Sequence, residues 1–254
     1  MDFNNFGNNY AFKHANDQSM NYVSSEVATK KGIGTKTIFL LLLTFISAVV
    51  MMLNVDRFND LGMGLYGFVF IVNFVLQLII CFVPSTTKVL SIPYAICEGL
   101  LIGVLVGILE YAIPGLGFQI ASLALVMTVA IFFAASILYT TGLIKVTNKL
   151  RTFLFVSLLG MLLGSLAVGI MSFFSPSIAL FFNSFEVSLV VSIIFVVLAG
   201  FYVTMSLDNA NRIAEGGFSK EYEWFAAYGI LINIVWLFLE VFRLLLILAA
   251  RNRD

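Results

Sequence analysis

Three carboxylates fall inside or at the edge of long apolar runs: Glu98, Asp208 and Glu240, the last followed at three residues by Arg243. An ionised side chain at the centre of a hydrocarbon layer costs about 2.5 to 3.5 kcal/mol on insertion scales, so each of these is a candidate for chemistry. Counted from Ser91 at ~1.5 Å per residue, Glu98 lies ~10 Å into its run. The last run is ~40 Å long against a ~30 Å hydrocarbon core, and if the excess lies inside, Glu240 sits ~15 Å deep. Asp208 is shallower, where the sixth run ends, and reaches Glu240 only if the last helix starts low, tilts or leaves a crevice. Carboxylates gathered in a low-dielectric site cannot all ionise cheaply and titrate as a set, which is the physics of a proton sensor. Ionised, the same oxygens suit a hard cation such as calcium. The plainer alternative is local pairing on helices, Glu240 with Arg243 and Asp208 with Arg212 four residues on. Glu110 and Glu186 lie near run ends and read as interfacial anchors.

Other chemistries lack their residues. Cys81 and Cys97 are embedded in apolar runs and the single histidine, His14, lies in a polar tail, so no thiolate or imidazole metal cluster can be assembled. An intramembrane aspartyl protease needs Gly-x-Gly-Asp, and Gly62-Met63-Gly64-Leu65 lacks the acid. There is no histidine pair for zinc, no lysine deep in the last run for retinal and no phosphate-binding glycine loop. The chain therefore reads as a non-enzyme without a bound cofactor. Its fourteen Lys and Arg balance fourteen Asp and Glu, which offers nothing to a nucleic acid.

The elements that must carry these residues are membrane helices. Hydrophobic residues make up 61% of the 254 and charged ones only 11%, too little polar surface to cover a soluble globule. Apolar runs near residues 37–55, 61–83, 91–113, 118–141, 152–174, 184–207 and 224–250 each approach or exceed the ~20 residues that cross a bilayer. The spacing predicts an all-α seven-helix transmembrane domain over residues 37–254, preceded by a polar, Asn-rich, disordered cytoplasmic tail over 1–36. Pro84, Pro93, Pro114 and Pro176 fall in links or at run edges, where a missing N–H costs least. The polar link from Asn209 to Tyr222, centred on Gly216 and Gly217, is a solvated loop, a gate or a partner contact. Small residues at helical spacing, Gly99, Gly103 and Gly107 in the third run and Gly160 and Gly164 in the fifth, allow close helix packing, with a dimer interface or pore lining as the sharper reading.

Lys and Arg set the orientation. With the N-terminus inside, Lys13, Lys30, Lys31, Lys36, Lys88, Lys145, Lys149, Arg151, Arg212 and Lys220 share one face, against Arg57, Arg243, Arg251 and Arg253 on the other. A cytoplasmic N-terminus follows. The basic C-terminal end is discordant, and a last run that dips in and returns would bring both ends to one side.

The stretch Glu223-Trp224-Phe225-Ala226-Ala227-Tyr228-Gly229, followed by Trp236-Leu237-Phe238-Leu239-Glu240-Val241-Phe242-Arg243-Leu244-Leu245, resembles the closing helix of the Bax inhibitor-1 family, particularly its bacterial YccA-like branch. Tyr94 to Gly103, Tyr111 to Gly115 and Gly142 to Thr147 resemble the same branch in the same order, so that the likeness covers roughly residues 28–251. The resemblance implies a bundle whose last helix is central, in a bacterial plasma membrane. It also implies a pH-dependent calcium leak whose two acids, at the end of the sixth helix and within the seventh, form a proton-sensitive pair. Those positions are Asp208 and Glu240, with Glu where Asp is commoner and a longer spacing between them. The expectation is a passive pathway for calcium ions, with Asp208 and Glu240 as pH sensor and calcium ligands and with Glu98, Arg243 and Arg212 in support. The alternative is an interaction protein that regulates a membrane protease, another membrane protein or a stress response without conducting ions.

Overall fold

The computed structural model describes residues 27–54 and 63–251. His14, Lys13, Arg57, Arg253 and the Asn-rich part of the tail lie outside the described residues. A chain in hydrocarbon must satisfy its backbone polar groups internally, and apolar runs of this length do so as helices. Among the described residues there are eight: α1 (Lys30–Leu53), α2 (Met63–Phe82), α3 (Thr87–Ala112), α4 (Leu116–Thr140), α5 (Asn148–Phe174), α6 (Pro176–Phe182), α7 (Phe185–Glu215) and α8 (Tyr222–Arg251). A single 3₁₀ turn, Pro84–Thr86, joins α2 to α3. The helical membrane architecture expected from the sequence is what the chain adopts, with one change of count. Among the described residues six helices are long and apolar enough to cross a membrane, while the second run supplies a shorter apolar stretch, Tyr66–Phe82, followed by Val83 and Pro84.

Several boundaries also move. Helix α1 begins at Lys30, inside the stretch expected to be tail, because Thr29 caps it by accepting a hydrogen bond from Gly32 N at 2.9 Å. Pro93, expected at an edge, lies within α3, where it removes the N–H that would bond Val89. The link expected from Asn209 is mostly helix: α7 runs on to Glu215, and Gly217 then takes a φ of +72°, the left-handed conformation that ends helices. Helix α8 is unbroken over 30 residues, ~45 Å, so the last run does not dip and return. It is also the most buried span, at 39% of its apolar window against 6% for α5.

The chain forms two compact units, residues 1–119 with 209–232 and residues 120–208 with 233–254. In the first, α1 lies along α3. A Cβ on Gly99 would stand 2.7 Å from the Ser47 Cβ, and one on Gly103 would stand 2.6 Å from that of Met51, so these glycines set how closely the helices approach. One end of this unit gathers the start of α1, the start of α3 and the α7–α8 turn. Ala28 N donates to Phe218 O at 2.8 Å, Lys30 pairs with Glu215 at 2.7 Å and Lys88 with Glu221 at 3.8 Å. At the other end Glu110 accepts hydrogen bonds from Gly115 N at 2.7 Å and Phe118 N at 2.9 Å, which makes it the cap of α4 in addition to a residue near a run end. In the second unit Tyr202 of α7 donates its hydroxyl to Leu154 O of α5 and stacks edge-on with Trp236 of α8 at 5.1 Å, while Asn233 Nδ2 donates to Tyr202 O at 3.3 Å.

The two glycine stripes thus differ. A Cβ on Gly160 or Gly164 meets nothing within 4 Å, whereas Gly99 and Gly103 are closed in. Gly99→Ala and Gly103→Ala are expected to destabilise the protein by about 1 to 3 kcal/mol through overpacking. Gly160→Ala gains helix propensity and is expected to be neutral or slightly stabilising. Thermal unfolding of the purified variants in one detergent checks the contrast.

Candidate functional site

Asp208 sits two turns before the end of α7. Its Oδ2 is ion-paired with Arg151 Nη2 from the first turn of α5, and its Oδ1 accepts the Tyr139 hydroxyl at 3.2 Å from the end of α4. Three helices of the second unit thereby converge on one carboxylate. The acid and the guanidinium are largely shielded, at 14% and 23% side-chain exposure, which strengthens their attraction and raises the cost of separating them. Helix α7 continues past Asp208 to Arg212, four residues on, and the ion pair with Arg151 ties the acid to α5.

Glu240 belongs to the same unit and is 9% exposed. Its Oε1 accepts the Trp236 indole N–H at 3.1 Å, one turn earlier on α8, and Oε2 is buried without a hydrogen-bond partner. Arg243 adds its positive charge from three residues on. The two acids expected to form a pair are therefore held differently. Asp208 is bound to a cation, whereas Glu240 leans on a neutral donor and keeps one oxygen open.

Glu98 and Arg212 belong to the first unit. Asn73 Nδ2 of α2 donates to Glu98 Oε2 at 2.5 Å, and the Tyr94 hydroxyl, one turn earlier on α3, also hydrogen-bonds the carboxylate. Tyr228 of α8 lies edge-on to Tyr94, with ring centroids 4.9 Å apart. The same unit holds Glu223, only 1% exposed. Its carboxylate accepts hydrogen bonds from Thr29 N at 2.8 Å, from the Thr29 hydroxyl at 3.0 Å and from Lys36. Among the described residues no group of three or more His, Cys, Asp and Glu gathers where it could hold a metal ion.

Arg151, Tyr139, Trp236, Asn73, Tyr228 and Glu223 are the residues that reading for acids in apolar runs passes over. Two of them leave a signal in the sequence: Trp236 stands at the helical spacing of four from Glu240, and Asn73 is a polar side chain inside an apolar run. Arg151 leaves none, since only the fold brings it to an acid 57 residues away.

Arg151→Met leaves Asp208 shielded and without its cation. It is expected to cost about 2 kcal/mol or more, below the roughly 3 to 5 kcal/mol of a fully buried pair. Adding Asp208→Leu to it should restore most of that loss, as measured by thermal unfolding of the single and double variants.

A family model described as Bax inhibitor 1 like matches residues 4–250. No curated protein and no solved structure matches the chain.

Proposed function

The chain belongs to the Bax inhibitor 1 like family, and from that premise we propose that it is a passive, pH-sensitive calcium leak gated by protonation of Asp208 and Glu240. The observation that carries this is the contrast between the two acids. Asp208 holds α7 to α5 through Arg151, and Glu240, on the most buried span, keeps an oxygen free for a proton or a cation. A gate needs two states that differ in proton affinity. With Asp208 ionised, the Arg151 pair holds the helices together. With Asp208 protonated, the attraction falls to that of a neutral hydrogen bond and α5 is released.

The groups bearing on Asp208 are Arg151 and Tyr139, with Arg212 one turn along α7. Those bearing on Glu240 are Trp236 and Arg243. The sign follows from the pair: it persists while Asp208 is ionised and is lost as pH falls, so flux rises on acidification. Chemistry on the permeating ion is not required, and the protein catalyses no reaction. The gathering of Lys30, Lys88 and the α7–α8 turn at one end of the first unit supports a cytoplasmic N-terminus.

Calcium flux into liposomes holding the purified protein tests the proposal. Wild type should leak several-fold faster at acidic than at alkaline pH. Asp208→Asn, which mimics the protonated acid, should leak at the fast rate throughout, and Glu240→Gln, which removes the second titrating acid and a cation ligand, should lower flux and alter its pH dependence. Wild-type flux equal to that of empty liposomes at all pH values ends the channel reading and leaves regulation of a membrane protease or other partner. An unchanged pH profile in both variants ends the sensor assignment alone.

A further inference from the structure

The first unit holds a second carboxylate site that the gate does not use. Asn73 and Tyr228 are 7% and 5% exposed, and each carries a polar atom with no hydrogen-bond partner: Asn73 Oδ1 and the Tyr228 hydroxyl. Both belong to the neighbourhood of Glu98. Asn73 turns its amide N–H to Glu98 Oε2, so its carbonyl oxygen is left over. Tyr228 packs on Tyr94, which bonds the same carboxylate, and feels the charge of Glu98 directly. A buried polar atom left unsatisfied costs roughly 1 to 3 kcal/mol, so two orphaned oxygens beside one carboxylate imply something that satisfies them together.

The chemistry of the set narrows what that is. A carboxylate and a carbonyl oxygen only accept, and a phenol can accept as well. The groups facing Glu98 are Asn73 from α2, Tyr94 and Cys97 from α3 and Tyr228 from α8, none of them a cation. An oxygen-lined site with one negative charge matches a hard cation of one positive charge. Calcium wants six to eight oxygens and usually several carboxylates, and here it would leave an uncompensated charge. We propose that Glu98, Asn73, Tyr94 and Tyr228 form a binding site for a monovalent metal cation, sodium or potassium, within the membrane-embedded part of the first unit. This proposal does not rest on the calcium leak.

Thermal unfolding of the purified full chain in detergent, with sodium or potassium chloride replacing choline chloride at constant ionic strength and alkaline pH, tests it. A ligand that binds only the folded state raises the midpoint with its concentration. Wild type and Asp208→Asn should show the same saturable rise, and Glu98→Gln should show none. Tyr228→Phe removes only an unsatisfied hydroxyl and so folds at least as well as wild type. If that oxygen is a ligand, half-saturation should move about tenfold to higher salt. The proposal is overturned if neither ion shifts the midpoint beyond choline, if Tyr228→Phe responds as wild type does, or if stability follows pH alone, the signature of a carboxyl that only takes up a proton.

Discussion

The carboxylate of Glu223 ties the first helix to the last. It accepts two hydrogen bonds from Thr29, which caps α1, and pairs with Lys36 two turns along that helix. Gly32 makes the room, for a Cβ there would overlap the carboxylate. The start of α8 is thereby fixed against the start of α1, and α1 is fixed against α3 by Gly99 and Gly103. Within the first unit, the helices that carry Glu98 and Tyr228 take their positions from this chain of contacts.

A low-dielectric surrounding permits two solutions for an acid, and this molecule uses both. Asp208 and Glu223 are each given a cation from another helix, which neutralises the charge and fastens two helices at once. Glu98 and Glu240 accept hydrogen bonds from neutral donors, an amide with a phenol and an indole, with the charge of Arg243 added near Glu240. The first solution makes joints. The second holds a carboxylate in place through neutral hydrogen bonds.

This distinction is where legibility in the sequence runs out. The helices were readable because hydrocarbon leaves an apolar run one way to satisfy its backbone, and Glu98, Asp208 and Glu240 stood out because acids in such runs are rare. Ends were less readable. The polar first turn of α1 and the last two turns of α7 look like tail and loop by composition, and only the Thr29 cap and the turn at Gly217 show where the helices stop. Partners divide by sequence distance. Trp236 lies one turn from Glu240 and can be inferred, but Asn73 and Arg151, 25 and 57 residues from their acids, depend on which helices pack together.

The polar joints described for helix α5 lie near its start. Arg151 and the Leu154 carbonyl make its joints to α7, Leu154 is its one buried residue, and no side chain described from 155 to 174 is buried. Over the ~30 Å beyond the joint, Ser157, Met161, Val168 and Ser172 are half-buried on one stripe and most other side chains are exposed. Such a rod has leverage: a tilt of about 10° at the joint carries the far tip through roughly 5 Å, against the contacts of that half-buried stripe and the surrounding acyl chains. The thickness and order of a surrounding bilayer would therefore act on the Arg151–Asp208 joint with mechanical advantage.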